Sequence, residues 1–526
     1  MRYFYENNPA IDSEFNITFE EVLLMSSKEF EEWILKVRAY IKLIWDTKGV
    51  PPIIGGSTEK EIVDSFKKLQ TFLTDDFLVN DESDNTRTVI KNWDRTASAV
   101  NQFFPGMMKT RIAVGESDSG KSIYDWVADK SLEKRFVNTM ISKFKKDAMY
   151  YFGRNVLVDD PEYMFVNSQS GREWISQYYM DGADKFRRQY DFWIKESDKD
   201  RNPKEDKPYL LLTINDIHEL KTQNKLTRVN MANLPDTLTP YYKSGKPKFY
   251  SIVAFKRDQR VMRQIIQVFR IGFSIQPAVN FPPLTAKFLY EHYIRHIPDE
   301  NIIVYDPSAG WGGRILGAMA FDKKNVHYVG TDPNTENFIP ELGITRYEYL
   351  ANFFNEQSSA TANAIHKFWG HKNTYEVFMD GSEVIRNNPA FQKYKGKLDF
   401  VFTSPPYFNR EKYSDDETQS CNKYTEYKDW KENFLRPTLT TAYEYLKSNR
   451  YICWNIADIK VGKNEYIPLE QDSIDILKGL GAEYVTKLKM IVVTMIGLDA
   501  SKLKNKCKVD GRWQKYEPVY VFRKIV

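Results

Sequence analysis

The chain has 526 residues, 42% of them apolar and 28% charged, and its 75 Lys and Arg against 71 Asp and Glu leave a formal net charge of +4. Such a composition belongs to an ordinary globular protein and excludes collagen-like, low-complexity and wholly disordered readings. No window approaches the roughly 18 apolar residues of a membrane span. The start, MRYFYENNPAIDSEF, lacks the basic and apolar regions of a secretory signal. Three cysteines, Cys421, Cys453 and Cys507, show neither a disulfide framework nor metal-ligand spacing. The expectation is a cytoplasmic protein with no metal and no membrane contact. His292 and His296 stand four apart, but no glutamate base lies between them and no third ligand follows.

In chain order, residues 1–100 carry 12 basic and 18 acidic side chains. Apolar spacing such as Phe30, Trp33, Ile34 and Val37 predicts helices over 17–46 and 58–74. Gly115 to Ser122, GESDSGKS, fits the phosphate-loop pattern, although Glu116 and Asp118 inside it would repel phosphate. An ATP-dependent DNA-processing protein is the alternative that this motif raises. Residues 197–207 read as a charged loop and 209–214 as a short strand. Residues 221–270 hold eleven Lys and Arg against Asp236 and Asp258, with aromatics interleaved. Lys243, Lys246, Lys248, Arg257 and Arg260 are therefore candidate DNA contacts. We read 1–270 as a helix-rich module that helps to hold DNA.

Beyond residue 270 the pattern changes. Apolar runs at 301–305, 326–330, 375–379, 398–402, 450–455, 488–493 and 518–522 alternate with helical stretches. This predicts an α/β, Rossmann-like domain over 271–526 with a mostly parallel sheet of seven strands.

The first of these runs ends in Asp306 and enters a glycine turn, DPSAGWGGR. Gly310 and Gly312, with Ser308, Ala309 and Trp311, let backbone approach a ligand where a Cβ would clash. An acid ahead of the glycines suits a ligand with a positive group, such as S-adenosylmethionine. Asp332, followed by Pro333, closes the second run, where a carboxylate accepts from ribose hydroxyls. Asp380, followed by Gly381, closes the third and is placed for an adenine amino group.

The fourth run enters Ser404-Pro405-Pro406-Tyr407. Two prolines cannot continue a ladder, so they fix a corner at the carboxyl end of a strand. Acceptors at Ser404 Oγ and the Pro405 carbonyl suit the two hydrogens of an exocyclic amine, and Tyr407 suits stacking on a flipped base.

With these residues together, the chain resembles the S-adenosylmethionine-dependent DNA amino-methyltransferases that act on cytosine N4 or adenine N6. The resemblance covers about 275–526. It implies a DNA substrate, base flipping and a restriction-modification setting in a bacterial or phage-infected cell. It also implies cofactor contacts at Asn280 and Phe281 in NFPPLTAKFLYEHY. A polar loop after the corner would include Tyr413, Ser414, Gln419, Ser420, Tyr424 and Trp430, and Asn455 and Asp458 would line the base pocket. Ser404 stands where adenine-specific relatives more often carry Asp or Asn, which favours cytosine N4. No Cys follows a proline, so a thiolate mechanism at C5 is not expected. Protein-glutamine and RNA amines are further substrates that related corners serve.

Overall fold

The computed structural model describes residues 25–48, 59–91, 100–112, 120–140, 163–167, 252–256, 278–360, 373–461, 465–492 and 500–525, together with a few isolated positions. The chain divides into two compact units. The first combines residues 1–7, 54–124 and 276–526, so a stretch of the N-terminal half packs with the sheet. The second combines 8–53 and 125–275.

The first unit is built on a ten-stranded sheet. Its strands are β1 (Leu78–Asp81), β2 (Thr86–Ile90), β3 (Asn301–Asp306), β4 (Asn325–Thr331), β5 (Thr374–Phe378), β6 (Leu398–Thr403), β7 (Leu446–Asn455), β8 (Ala482–Ile491), β9 (Lys506–Val509) and β10 (Arg512–Lys524). They run in the order β1-β2-β8-β10-β7-β6-β3-β4-β5, with β9 added to β10. The five strands from β7 to β5 are mutually parallel. β10 is antiparallel to both β7 and β8. This is the expected Rossmann-like α/β sheet, and its order reverses between β3 and β6. There the strands' carboxyl ends open a crevice in which such sheets bind ligands.

All six residues of β6, LDFVFT, are buried. A continuous apolar strand of this kind is covered by helices on both faces. On one face lies α4 (Pro283–Ile294), whose first-turn Pro is preset for helix. Its Tyr290 and Tyr293 pack on Phe400 and Phe402 of β6. It also lies close against α5 (Gly313–Met319), where a Cβ on Gly317 would stand 2.7 Å from that of Ala286. Buried Lys287 donates to the carbonyls of Leu69, Gln70 and Phe72 at 2.9, 2.7 and 2.9 Å. A cation there satisfies the carbonyl end of α2 (Glu59–Thr71). The other face is filled by Tyr305, Phe391, Trp430, Leu439, Tyr445 and Trp454 beneath α6 (Arg436–Tyr445) and α7 (Leu469–Gly479).

The N-terminal strands β1 and β2 lengthen the sheet past β8. Val89 and Ile90 pair parallel with Lys489 and Met490. The Lys489 ammonium, nearly buried, meets Asp81 at 2.6 Å and also binds Asp84.

In the second unit, α1 (Ser27–Lys48) buries Phe30, Trp33, Ile34, Val37, Ile41 and Trp45. Its Arg38 donates to the Trp126 carbonyl at 3.2 Å and to Glu133 at 2.9 Å, the latter on α3 (Glu133–Met140). Residues 163–167 and 252–256 form an antiparallel strand pair. The helix expected over 17–46 is interrupted at Met25 and Ser26. There the Ser26 hydroxyl accepts from Glu29 N at 3.2 Å and caps α1. No helix among the described residues is long and apolar enough to cross a membrane.

Candidate active site

At the crevice β3 delivers Asp306, which is fully buried. Its carboxylate accepts from Arg314 Nε, the Tyr328 hydroxyl and the Thr403 hydroxyl, each at 2.7 Å, and from Ser308 N at 3.2 Å. The sequence reading sets Asp306 opposite a ligand's positive group. In the structure that positive group is Arg314 of the same loop, and these four donors take up the carboxylate. Its work is to hold the turn in shape: Arg314 also binds the Ser308 carbonyl.

The turn follows from its glycines. Gly310 and Gly312 have φ of +60° and +77°. A Cβ on Gly312 would lie 2.3 Å from the ring of Phe104, so the close approach of that ring requires glycine. Phe104 also packs on Tyr347, and Phe103 on Phe353 and Phe354. Residues 100–112 thus brace the loop from far upstream, a contact no local sequence signal announces. Ala309, 1% exposed, ties its N–H to the Thr331 carbonyl at 2.9 Å.

Asn280 and Phe281 lie behind the loop. Asn280 donates to the Trp311 carbonyl at 2.7 Å, and the Phe281 ring meets Phe402. Both are buried.

Asp332 follows β4. It accepts from Gly310 N at 2.8 Å and Asn334 N at 2.9 Å. Burial raises its pKa to about 6, against the lowering effect of those two N–H groups. Pro333 comes next in the chain. Asp380, at the end of β5, is half-buried and accepts from Asn388 at 2.7 Å. Gly381 lies against the carboxyl of Glu383, which is buried and paired with Lys423 at 2.8 Å.

Across the crevice, Ser404 and Tyr407 are both half-buried, Pro405 is buried between them and Pro406 is half-buried. The Ser404 hydroxyl is within reach of the phenol, whose pKa is pushed well up, chiefly by burial and then by Glu517. The phenol also lies 3.4 Å from the Asn455 carbonyl. Phe408, the next residue, has φ of +44°, a left-handed conformation that costs a non-glycine residue about 1–2 kcal/mol. Packing of its ring on Tyr427 and Trp430 holds it there. Asn455 donates to the Pro518 carbonyl at 2.9 Å, and Asp458 accepts from Glu470 N at 2.9 Å and Lys504 at 2.7 Å.

The loop after the corner straps the crevice. Residues 411–412 pair antiparallel with 111–112. Tyr413 meets Trp311 edge to face at 5.2 Å and donates to Glu411 at 2.6 Å. Burial raises the pKa of both Tyr413 and Glu411. Thr335 donates to Asp416 at 2.6 Å, and Thr418 to the Pro333 carbonyl at 3.1 Å. With Lys423 on Glu383, the strap touches the ends of β3, β4 and β5 in turn. Gln419 within it is buried, and its Nε2 has no hydrogen-bond partner among the described residues. The sequence marks this segment as a polar loop; its anchors Glu383 and Asp416 carry no such mark.

Lys243, Lys246, Lys248, Arg257 and Arg260 lie outside the described residues, as do 115–119 of the phosphate-loop pattern. What flanks that pattern is a two-residue strand, antiparallel to 411–412, and a six-residue helix at 123–128. A phosphate loop instead joins a strand of a parallel sheet to a long helix. Among the described residues no group of His, Cys, Asp and Glu could hold a metal.

Residues 398–525, about a quarter of the chain, match the DNA methylase family of the N6 and N4 type. No curated protein matches. Solved structures with a similar fold include a candidate class I S-adenosylmethionine-dependent methyltransferase from Listeria monocytogenes. It is 12% identical over 50% of this chain and 67% of its own, with a TM-score of 0.28. A SAM-dependent methyltransferase from Methanosarcina mazei is 12% identical over 45% and 97%, with a TM-score of 0.25. A candidate DNA modification methylase from Thermus thermophilus, complexed with S-adenosyl-L-methionine, is 17% identical over 28% and 53%, with a TM-score of 0.19.

Proposed function

We propose that this chain transfers a methyl group from S-adenosylmethionine to the exocyclic amine of a base flipped out of DNA, with cytosine N4 the favoured target. The observation that carries the reading is the Ser404–Tyr407 corner, which leaves β6 beside the glycine turn leaving β3, inside a stretch that matches the DNA methylases.

The residues around the crevice fit such a cofactor. The left-handed turn at Gly310 and Gly312 bares backbone at the strand end, Asp332 offers a carboxylate, and Gln419 Nε2 is a buried donor without a partner among the described residues. Asp332 would hold the ribose hydroxyls. Asp380, with Gly381 beside it, would meet the adenine end. Ser308, Trp311 and Pro333 would line the walls. The sulfonium supplies an activated methyl, so the protein's contribution is positioning. Ser404 Oγ and the Pro405 carbonyl would accept the two amine hydrogens and turn the nitrogen lone pair towards the methyl. The Tyr407 ring would hold the base by stacking. The packing of Phe408 on Tyr427 and Trp430 would keep these groups aimed before the base arrives.

The test is methylation of duplex DNA with methyl-labelled cofactor, followed by digestion and mass identification of the nucleoside. N4-methylcytosine supports the reading, N6-methyladenine corrects its target base, and label in neither overturns it.

A further inference from the structure

The basic stretch singled out in the sequence, 221–270, lies outside the described residues apart from its short strand at 252–256, but a second basic face stands in the first unit. β9 and β10 form a hairpin closed by Asp510 and Gly511, whose φ of 50° and 72° are those of a two-residue turn matched to strand twist. In its register Lys506 pairs with Lys515, and Lys508 with Trp513. These four side chains therefore share one face. The opposite face holds Cys507 and Val509, buried against Val89 and Tyr516.

The outward face is not arranged as a neutral surface would be. Lys506 and Lys515 stand directly opposite, a like-charge pair that opposes strand pairing. Lys506 and Lys515 have no carboxylate within 4.0 Å among the described residues, while Lys508 lies 3.9 Å from Glu82. Trp513 is 38% exposed, and the Lys506 ammonium lies 5.2 Å from its ring centre. Concentrated positive charge around an open aromatic ring suits a polyanion with planar groups.

Topology puts this face at the catalytic rim. Asn455, the last residue of β7, pairs with Val519. Since β10 runs antiparallel, everything before Val519 projects beyond the carboxyl ends of the parallel strands, on the side of the Ser404–Tyr407 corner. Lys515 then stands about 14 Å past the rim, at roughly 3.4 Å per residue. A duplex delivering a base to that corner would run its backbone within reach of the hairpin, and a two-stranded ribbon is of a size that B-DNA accommodates.

We propose that the outward face of this hairpin, through Lys506, Lys515 and Trp513, grips the phosphate backbone of the substrate duplex beside the flipped base. The assignment rests on the DNA methyltransferase reading. Its test is the salt dependence of duplex binding by the full chain and by Lys506→Ala/Lys515→Ala. Two lost phosphate contacts should lower the slope of log affinity against log salt by about 1.8, equally on any DNA sequence. Cofactor affinity should not change, because neither lysine touches the crevice. Lys395→Ala/Lys397→Ala, exposed at the amino end of β6, should keep the wild-type slope and serves as the matched control. An unchanged slope in the hairpin variant, or a change matched by the control, overturns the assignment. So does a loss of sequence discrimination at constant slope. These results leave methylation by the wild type intact, whereas a wild type that binds and methylates no DNA removes the enzymatic reading and this face together.

Discussion

Arg314 Nε donates to Asp306 Oδ2 at 2.7 Å, joining the last residue of β3 to the first turn of α5 across the glycine loop. Burial alone would lower the Arg314 pKa, and the Asp306 carboxylate outweighs it, so the guanidinium stays charged. Removing one partner of a buried pair leaves a charge without compensation and costs about 3–5 kcal/mol. Arg314→Leu should therefore shift the urea midpoint strongly downward. Adding Asp306→Asn should restore part of that shift, since the double variant buries no lone charge. Equal losses in the single and double variants would show that the pair is not what holds the loop.

Asp332 gives a pH signature with two opposite signs. Its pKa is about 6 in the folded chain, above the roughly 3.9 of an unfolded aspartate. The folded state thus binds its proton more tightly, and the stability of the cofactor-free protein should fall as pH rises from about 4 to about 6. Cofactor affinity should run the other way, because ribose hydroxyls need the ionised acceptor. With a pKa near 6, calorimetric titrations at about pH 5 and about pH 8 should differ by about tenfold in the wild type, and by much less in Asp332→Asn. A flat wild-type profile would remove Asp332 from the cofactor site.

At the corner, Ser404→Ala should lower the methyl-transfer rate by about 100-fold, the scale for loss of one aimed hydrogen-bonding group. Cofactor affinity should stay nearly constant. Tyr407→Phe should be milder than Tyr407→Ala, since it keeps the ring and gives up only a 3.4 Å contact with the Asn455 carbonyl. Single-turnover assays separate the three. Full activity in Tyr407→Ala would end the stacking role.

Gly312→Ala would force a methyl group into Phe104 at a φ of +77°. We expect a loss of about 1–3 kcal/mol from the backbone alone. Phe104→Ala should relieve the closest contact but neither the Leu350 methyl at 2.9 Å nor the φ penalty, so the double variant should recover only in part. Thermal unfolding of the four proteins measures this directly. Full recovery would place the whole cost in the ring contact.

How legible this architecture is depends on the range over which its causes act. β3, β4 and β6 announce themselves because strands buried on both faces are unbroken apolar runs. β10 is expected from its apolar run only over 518–522, yet it spans 512–524: its first residues, RWQKYE, cover a small sheet on one side only and read as polar. β9, KCKV, hides for the same reason, its apolar content being Cys507 and Val509 alone. The acids at strand ends can be found by position, but Asp306 shows the limit of position. A carboxylate's partner is decided by folding, and here it is an arginine eight residues on. The brace of Phe103 and Phe104 on the glycine loop, and the strap's anchors at Glu383 and Asp416, are contacts between distant segments with no local pattern to betray them.

The pairing of β2 with β8 sets a timetable for biosynthesis. Asp81 leaves the ribosome 408 residues ahead of Lys489, its partner. At about 5–20 residues per second, the β1–β2 ribbon waits roughly 20–80 s for the strand that will cover its edge. A bare edge invites pairing with other nascent chains, and charge along it is the usual protection. Asp81, Glu82 and Asp84, at the turn that closes the ribbon, would keep that end of it charged during the wait. When β8 arrives, Asp81 and Asp84 close on Lys489, so the charges that would first repel other chains become the lock that holds the right strand.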